Sequence, residues 1–408
     1  MKTNWLYFFY CSFNSDLLFW IVIDALFLST TKGMSEFNII LITMLGLAFS
    51  IVLFPLYNLI IKKLSNRTAN IVGAVLYFLA IIMFMCFKTI YGFIFAQFLY
   101  QTASHFKQTN LTILKNNLKA EGREESFVKI KSFGKLGYSI ITAVVAIVSG
   151  IFFNINPYLP VLLSAGCSAI GIVFSVLFKD PKITENKDND KTEPLTLTET
   201  KKVSTFKIAK SKLMIYILIM NLVAVGSYTF FSSKSTLLLQ NVCQGVGIEI
   251  ARISIIVSIV VFISRLFRIL ANMVMPLIYK KTKKKSNVIL GLSGAILIAG
   301  ICYALGGNLP TNVYVNIALI AVGLFIVISI RDMYGTVENK VIINNFQEHE
   351  HSQTFVLANF YGQIGRLFAN AVALLVTGLV SLNLVYIFML VVAVVQFFVS
   401  IPYSKYLK

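Results

Sequence analysis

The chain alternates long apolar runs with short polar breaks from one end to the other. Runs such as "TAVVAIVSGIFF" and "LVYIFMLVVAVVQFFVSI" are typical. A bilayer core about 30 Å thick needs about 20 apolar residues per helix. Blocks of that length predict twelve transmembrane helices, at roughly 6–31, 36–61, 68–87, 90–115, 130–154, 157–178, 210–241, 249–279, 286–305, 312–339, 354–380 and 383–404. One long stretch breaks the pattern: "KDPKITENKDNDKTEPLTLTETKKVSTFK", residues 179 to 207, mixes both charge signs with Thr and a single aromatic. That composition predicts a flexible linker. It separates six spans from six, so the expected organisation is a bundle over 1–178, a linker over 179–209 and a second bundle over 210–408.

A second polar interruption is written twice. "NNLKAEGREESFVKIKSFGKLG" (116–137) and "NNFQEHEHSQTFVLANFYGQIG" (344–365) align at a shift of 228 positions. Identities fall at Asn116/Asn344, Asn117/Asn345, Phe127/Phe355, Gly134/Gly362, Gly137/Gly365 and Gly150/Gly378. Upstream, "IIKKLSNRTANIVG" and "IYKKTKKKSNVILG" echo each other at a similar offset. Equal offsets with both copies on the same side predict parallel repeats about an axis along the membrane normal.

Composition and charge agree with this pattern. Hydrophobic residues make up 57% of the 408 positions and mean hydropathy is +0.79, the signature of a polytopic α-helical membrane protein. The net charge of +19 sits in alternate loops. Lys62, Lys63 and Arg67, the cluster from Lys115 to Lys135, the central linker, Lys280 to Lys285 and the final lysines share one side. The other side holds Lys32, Lys88 and Arg252. By the positive-inside rule both termini are cytoplasmic, in an inner or plasma membrane. The charge therefore reports topology and lipid contact, and nucleic acid is not the expected partner. The first apolar run lacks a basic leader and a cleavage site, and reads as a retained helix. Cys11, Cys86, Cys167, Cys243 and Cys302 are scattered without metal or disulfide spacing. No GxxxxGK[ST] loop and no catalytic constellation occurs, so neither a cofactor, a resident metal nor an enzymatic activity is expected.

Six plus six spans, a central linker and parallel halves resemble the major facilitator superfamily. The usual motif of that family between helices 2 and 3 carries an Asp and glycines. Here "PLYNLIIKKLSNR" keeps the basic residues Lys62, Lys63 and Arg67 and lacks the others. The resemblance implies an all-α membrane fold of two six-helix bundles that rock about a central cavity, moving a small solute, often with protons. It also implies that helices 1, 4, 7 and 10 surround the cavity and that helices 2, 5, 8 and 11 meet between the halves.

Ionisable residues within spans are costly and mark candidate sites. In span 1, Ser12, Asp16, Trp20 and Asp24 recur every four positions, predicting one helix face. A carboxylate removed from water there is a candidate proton carrier. In span 4, Gln97, Gln101, Ser104, His105 and Gln108 form a polar stripe flanked by Lys107, which cannot face lipid. Span 7 offers Lys234, expected near the depth of Asp24 when the halves are aligned through Gly33 and Gly245. Span 10 carries Arg331, Asp332 and Glu338, with adjacent Arg331 and Asp332 expected to have different partners. Arg265, Arg268 and Arg366 are expected at a gate between the halves, with Gly134, Gly137, Gly362 and Gly365 easing helix approach there. The "QEHEHSQ" segment with His349 and His351 reads as a solvated loop.

Embedded cations (Lys107, Lys234, Arg265, Arg268, Arg331, Arg366) outnumber embedded acids (Asp16, Asp24, Asp332, Glu338). The excess favours an anionic or amphiphilic solute. The expected function is H+-coupled secondary transport of a small solute by a monomer. The alternative is a non-transporting receptor or assembly factor on a transporter scaffold, which has no need to bury such charges.

Overall fold

The computed structural model describes residues 3–406 apart from 124–125, 182–210, 285, 310–311 and 347. Most of the expected linker therefore lies outside the described residues. Among the described residues the chain is helical, without strands. The first half comprises α1 (Thr3–Asn14), α2 (Trp20–Leu26), α3 (Glu36–Val52), α4 (Phe54–Lys63), α5 (Asn66–Cys86), α6 (Ile90–Phe106), α7 (Asn110–Ala120), α8 (Phe127–Ile155) and α9 (Leu159–Leu177). The second comprises α10 (Lys212–Met220), α11 (Gly226–Gly245), α12 (Ile250–Lys281), α13 (Ser286–Asn308), α14 (Val313–Asn345), α15 (Glu348–Leu379) and α16 (Leu382–Ser404).

Local chemistry sets where these helices begin. Ser35, Ser65, Thr89 and Ser211 cap α3, α5, α6 and α10, each side-chain oxygen accepting a backbone N–H from the first turn. Pro55 and Pro160 stand in the first turns of α4 and α9, where a missing N–H breaks no bond. The hairpin bends after α2 and α11 use Gly33 and Gly247, at φ +68° and +76°. The matching bend in the second half is thus Gly247, two residues beyond the Gly245 used to align the halves.

Nine helices among the described residues are long and apolar enough to cross a membrane, or ten if the bent α3–α4 pair counts as one. Three of the twelve expected spans are interrupted. Span 1 breaks between α1 and α2, around Ser15–Phe19. Span 2 bends by 55° between α3 and α4. Span 4 leaves α6 through a 3-10 turn at Lys107–Thr109 before continuing as α7. The QEHEHSQ segment is no loop: Glu348 opens α15, and His349 and His351 fall in its first turn. At 33 residues, α14 is about 50 Å long, well beyond a bilayer core.

The repeated glycines have two distinct jobs, and the pseudo-symmetry holds for both. Gly134 and Gly137 of α8 lie against Tyr7, Phe8, Cys11 and Ser12 of α1, while Gly362 and Gly365 of α15 lie against Val225 and Leu222 in the π turn of span 7, between α10 and α11. These four glycines therefore pack helices within each half, contrary to the expectation of a place between the halves. A Cβ on Gly365 would run into the Leu222 carbonyl, so only glycine allows that approach. The later pair does lie between the halves: Gly150 meets Ser254 and Ser258 of α12, and Gly378 meets Phe37 of α3.

The halves touch along α8–α12 and α3–α15. Side-chain hydrogen bonds between them lie toward the end away from the linker. Asn154 Nδ2 donates to the Ala251 carbonyl at 2.9 Å, Ser254 Oγ to Asn154 Oδ1 at 2.6 Å, and Gln240 Nε2 to Ser29 Oγ at 2.6 Å. At the linker end, α1 and α10 pack chiefly on helices of their own halves.

Candidate functional site

A cavity of about 290 Å³ opens between the halves. Its floor and walls come from spans 1 to 5, 7, 8, 10 and 11. The break in span 1 builds one corner. Freed from the helix, Asp16 accepts from the Leu17 N–H at 2.9 Å and from the Tyr100 hydroxyl at 2.6 Å. Tyr100 is held in turn by stacking on Tyr77, ring centroids 5.2 Å apart. At the start of α2, Trp20 stacks on Phe84 at 4.4 Å and lines the cavity. Asp24 follows, its Oδ1 accepting the Ala25 N–H at 2.7 Å. The four-residue series expected on one continuous face is therefore split: Asp16, Trp20 and Asp24 line the cavity, whereas Ser12 is buried against Gly137.

Span 7 faces this corner. Lys234 is 5% exposed, yet its Nζ reaches the cavity and donates to Thr43 Oγ1 at 3.1 Å. It makes no direct ion pair with Asp24; the two stand in the same cavity within electrostatic reach. Ser232, Ser235 and Thr236 extend the polar wall. Nearer the linker, Arg265 of α12, Arg331 of α14 and Arg366 of α15 enter the cavity, close to Gln101 and Tyr138.

Charge is segregated. The charged lining residues of the first half are Asp16 and Asp24; those of the second are Lys234, Arg265, Arg331 and Arg366. The acids in the lining come from one half and the cations from the other. The Nε atoms of Arg265 and Arg366 are buried without a hydrogen-bond partner, as are Thr229 Oγ1 and Asn370 Oδ1 beside them. Arginine and hydroxyl donors left idle in a low-dielectric cleft are costly and suit an arriving anion, whereas Asn370 Oδ1, an acceptor, calls for a donor.

The remaining candidates sit elsewhere. Arg268 donates from Nε to Asp332 Oδ2 at 2.6 Å, and Asn272 Nδ2 adds a bond to the same oxygen at 3.2 Å. This pair ties α12 to α14 behind the cavity wall, while Arg331 lies 3.9 Å from the other Asp332 oxygen and turns into the cavity. Adjacent Arg331 and Asp332 thus have different surroundings, as helical geometry requires. Glu338 is buried and accepts from Asn221 Nδ2 at 2.9 Å, inside the second half. Of the span 4 stripe, Gln97 and Gln101 reach the cavity. Ser104 bonds Tyr77, and His105 Nε2 pairs with Ser50 Oγ at 2.6 Å between the rings of Phe54 and Tyr57. Lys107 lies buried with its ammonium 3.7 Å above the Tyr77 ring. The stripe does not act as a unit: Ser104 and His105, still within α6, are taken up by Tyr77 and Ser50, and the 3-10 turn at Lys107–Thr109 breaks the helical register beyond them.

Sequence reasoning passed over Thr43, Tyr100, Tyr138, Thr229 and Asn370. Hydroxyl and amide side chains are common in membrane helices and carry no cost signal comparable to a charge. No cluster of His, Cys, Asp or Glu able to hold a metal occurs among the described residues.

Comparison with known proteins follows this geometry. The sequence profile of the Major Facilitator Superfamily matches residues 5–370, so the chain belongs to that family and is a transporter of its multi-pass, all-α fold. No curated protein matches it by sequence. Among solved structures it is similar to the nucleoside transporter NupG, with a TM-score of 0.76 at 14% identity, covering 99% of this chain and 100% of that one. It is also similar to a bacterial homologue of the iron transporter ferroportin in an inward-facing state, with a TM-score of 0.68 at 13% identity, covering 99% and 98%. At such identities the likeness shows the fold alone.

Proposed function

We propose that this member of the major facilitator superfamily is an H+-coupled secondary active transporter of a small, negatively charged solute. It works as a monomer, with 1–178 and 210–408 rocking about the cavity and 179–209 as a cytoplasmic linker. The observation that carries the reading is the segregated charge of the cavity: four cations from one half face two carboxylates from the other. A cationic wall concentrates and grips an anion. The facing carboxylates let protons and anions bind cooperatively, because protonating Asp24 removes a negative charge from the anion's surroundings. By linkage, the anion then strengthens proton binding equally.

With the basic loops in the cytoplasm, the hydrogen-bonded end of the halves is the outer one, and the conformation faces inward. This agrees with the inward-facing state named for the ferroportin homologue. In the inward-facing state Asp24 gives its proton to the cytoplasm, its charge returns beside Lys234, and the anion loses affinity and leaves. NupG is named for nucleosides, which carry no net charge. Four lining cations favour a charged cargo here.

The test is solute flux in proteoliposomes under an imposed pH gradient. Wild-type protein accumulates an anionic solute in the direction of the gradient, and Asp24→Asn does so no longer. Flux indifferent to the gradient in the wild type removes proton coupling. An absence of flux for a broad solute panel favours a receptor on a transporter scaffold.

A further inference from the structure

We infer that Arg265, Arg331 and Arg366 form a subsite for a compact dianionic oxyanion group, such as a phosphate monoester or a paired carboxylate, at the linker end of the cavity. Three guanidinium groups from three different helices enter the same cavity, and Arg331 is within electrostatic reach of both of the others. Mutual repulsion opposes this arrangement, and the protein does little to relieve it. Asp332 is bound by Arg268 at 2.6 Å and lies 3.9 Å from Arg331, so its single charge is spent against Arg268 first and offsets Arg331 only in part. Asp16 is the one lining carboxylate at that end, and it is held by the Tyr100 hydroxyl and the Leu17 N–H within the break of span 1. Three cations less one lining carboxylate leave up to two positive charges uncompensated.

The idle donors indicate what fits. The Nε atoms of Arg265 and Arg366 have no partner, though each is shielded from bulk water. A guanidinium presents a planar fork that pairs two oxygens at once, a geometry suited to carboxylate and phosphate rather than to a chloride ion or a hydroxyl. At the opposite end Asp24 and Lys234 offset one another beside Trp20 and Phe84, a setting for a polar, uncharged or aromatic body. The solute would therefore lie with its anionic end toward the linker. This rests on the transport reading only for the direction of travel, since the subsite is a property of the cavity itself.

The full chain, purified in detergent, is titrated with matched probes: ribose against ribose 5-phosphate, and butyrate against succinate. The dianionic member of at least one pair should bind about tenfold or more tightly than its match and weaken with salt. Whether the phosphate or the carboxylate pair responds identifies the oxyanion. Arg265→Gln and Arg366→Gln should each lower that affinity by about tenfold to a hundredfold. Arg366→Lys, which keeps the charge but not the fork, should fall between. Arg252→Gln, at an exposed position, should leave affinity unchanged.

Equal binding within both pairs overturns the subsite, as does no binding of either dianion. So does affinity indifferent to the Gln substitutions in variants that elute and melt as the wild type does; a Gln variant that misfolds is replaced by its Lys counterpart. Arginine-dependent dianion binding without flux sustains the subsite and removes the transport reading. Gradient-driven flux of an uncharged solute, insensitive to these arginines, does the reverse.

Discussion

The two walls of the cavity come from repeats of one plan, yet they carry opposite charge. The first half contributes Asp16, Asp24, Gln97, Gln101 and the aromatic groups Trp20, Tyr100 and Tyr138; the second contributes Lys234, Arg265, Arg331, Arg366 and a row of hydroxyls. The architecture between them is shared. Gly134-x-x-Gly137 and Gly362-x-x-Gly365 seat equivalent helices on the first helix of each half, and Gly150 and Gly378 sit at equivalent points between the halves. The irregularities of the two first spans differ in kind. Span 1 breaks at Asp16, and span 7 carries a π turn at Asn221–Val225. Backbone packing has kept the symmetry while the cavity side chains have lost it. Symmetric backbone serves the rocking motion, and asymmetric charge gives a solute with two unlike ends one orientation.

The sharpest test of the cationic wall separates its two kinds of arginine. Arg268 is paired with Asp332, at 8% side-chain exposure against 15%, and keeps one idle donor, Nη1; Arg265 and Arg366 have idle Nε atoms and no carboxylate partner among the described residues. Removing one partner of a buried pair strands the other, at about 3–5 kcal/mol. Asp332→Ala should therefore lower the melting temperature in detergent more than any other single change considered. Arg366→Gln should leave it unchanged or raise it, because an uncompensated charge has been removed. If both variants melt alike, the distinction between a structural and a cargo-facing arginine fails.

The comparison can next be broken from the other wall. Neutralising Asp24 leaves Lys234 with no facing carboxylate at its end of the cavity, and neutralising Lys234 leaves Asp24 unopposed. Each single variant, Asp24→Asn or Lys234→Gln, should lower solute flux about a hundredfold, equivalent to about 3 kcal/mol at the barrier. The double variant should recover part of the loss of Lys234→Gln, yet stay unresponsive to a pH gradient. Flux measured with and without the gradient decides this. A double variant worse than both singles shows that the two residues do not offset one another. The charges facing Asp24 are Lys234 and, more weakly, Asp16, so a gradient response surviving in Asp24→Asn would point to Asp16.

The architecture was legible in the sequence because it is set by run length and by repeats that tolerate no other residue. Twenty apolar positions can do little except cross a bilayer, and a glycine against a backbone carbonyl, as at Gly365, cannot be replaced by anything larger. The cost of burying charge likewise pointed to Asp16, Asp24, Lys234 and Arg331, which line one cavity. What stayed hidden depends on helix breaks. The extrapolation through span 4 joins Gln97, Gln101, Ser104, His105 and Gln108 into one stripe flanked by Lys107, and nothing in "QTASHFKQTN" announces the 3-10 turn that begins at Lys107. His105 and Lys107 instead serve packing with Tyr57 and Tyr77. Arg265 and Arg366 were assigned to a gate from helix number alone, and only three-dimensional proximity shows them facing the cavity. Their equivalence with the packing glycines as interface residues failed for the same reason: one helix face packs within the half while another looks across it.

The preserved symmetry of the glycines gives a test of intermediate size. Adding a methyl group where the neighbour is backbone forces the helices apart, at about 1–3 kcal/mol. Gly365→Ala, facing the Leu222 carbonyl, should destabilise by the upper part of that range. Gly362→Ala, whose nearest neighbour is a Val225 methyl at 3.2 Å, should destabilise less. Thermal unfolding in detergent ranks the two, and the reverse order contradicts the packing described.

The smallest effect concerns the closed end, where the halves meet through uncharged groups. Gln240 to Ser29 is a single neutral hydrogen bond, as are the contacts between Asn154 and α12. Each is worth about 1 kcal/mol net, so Gln240→Ala should shift the balance between open and closed outer ends only about fivefold. A cysteine placed at Thr236, on the cavity wall, reports this in a chain whose five native cysteines have been replaced. A membrane-impermeant maleimide added outside should label Thr236→Cys faster by that factor when Gln240→Ala is also present. The shift should be larger when Asn154→Ala is combined with it. No change in labelling in the double variant would mean that apolar contacts such as Phe37 against Gly378, and not this polar seam, hold the outer end shut.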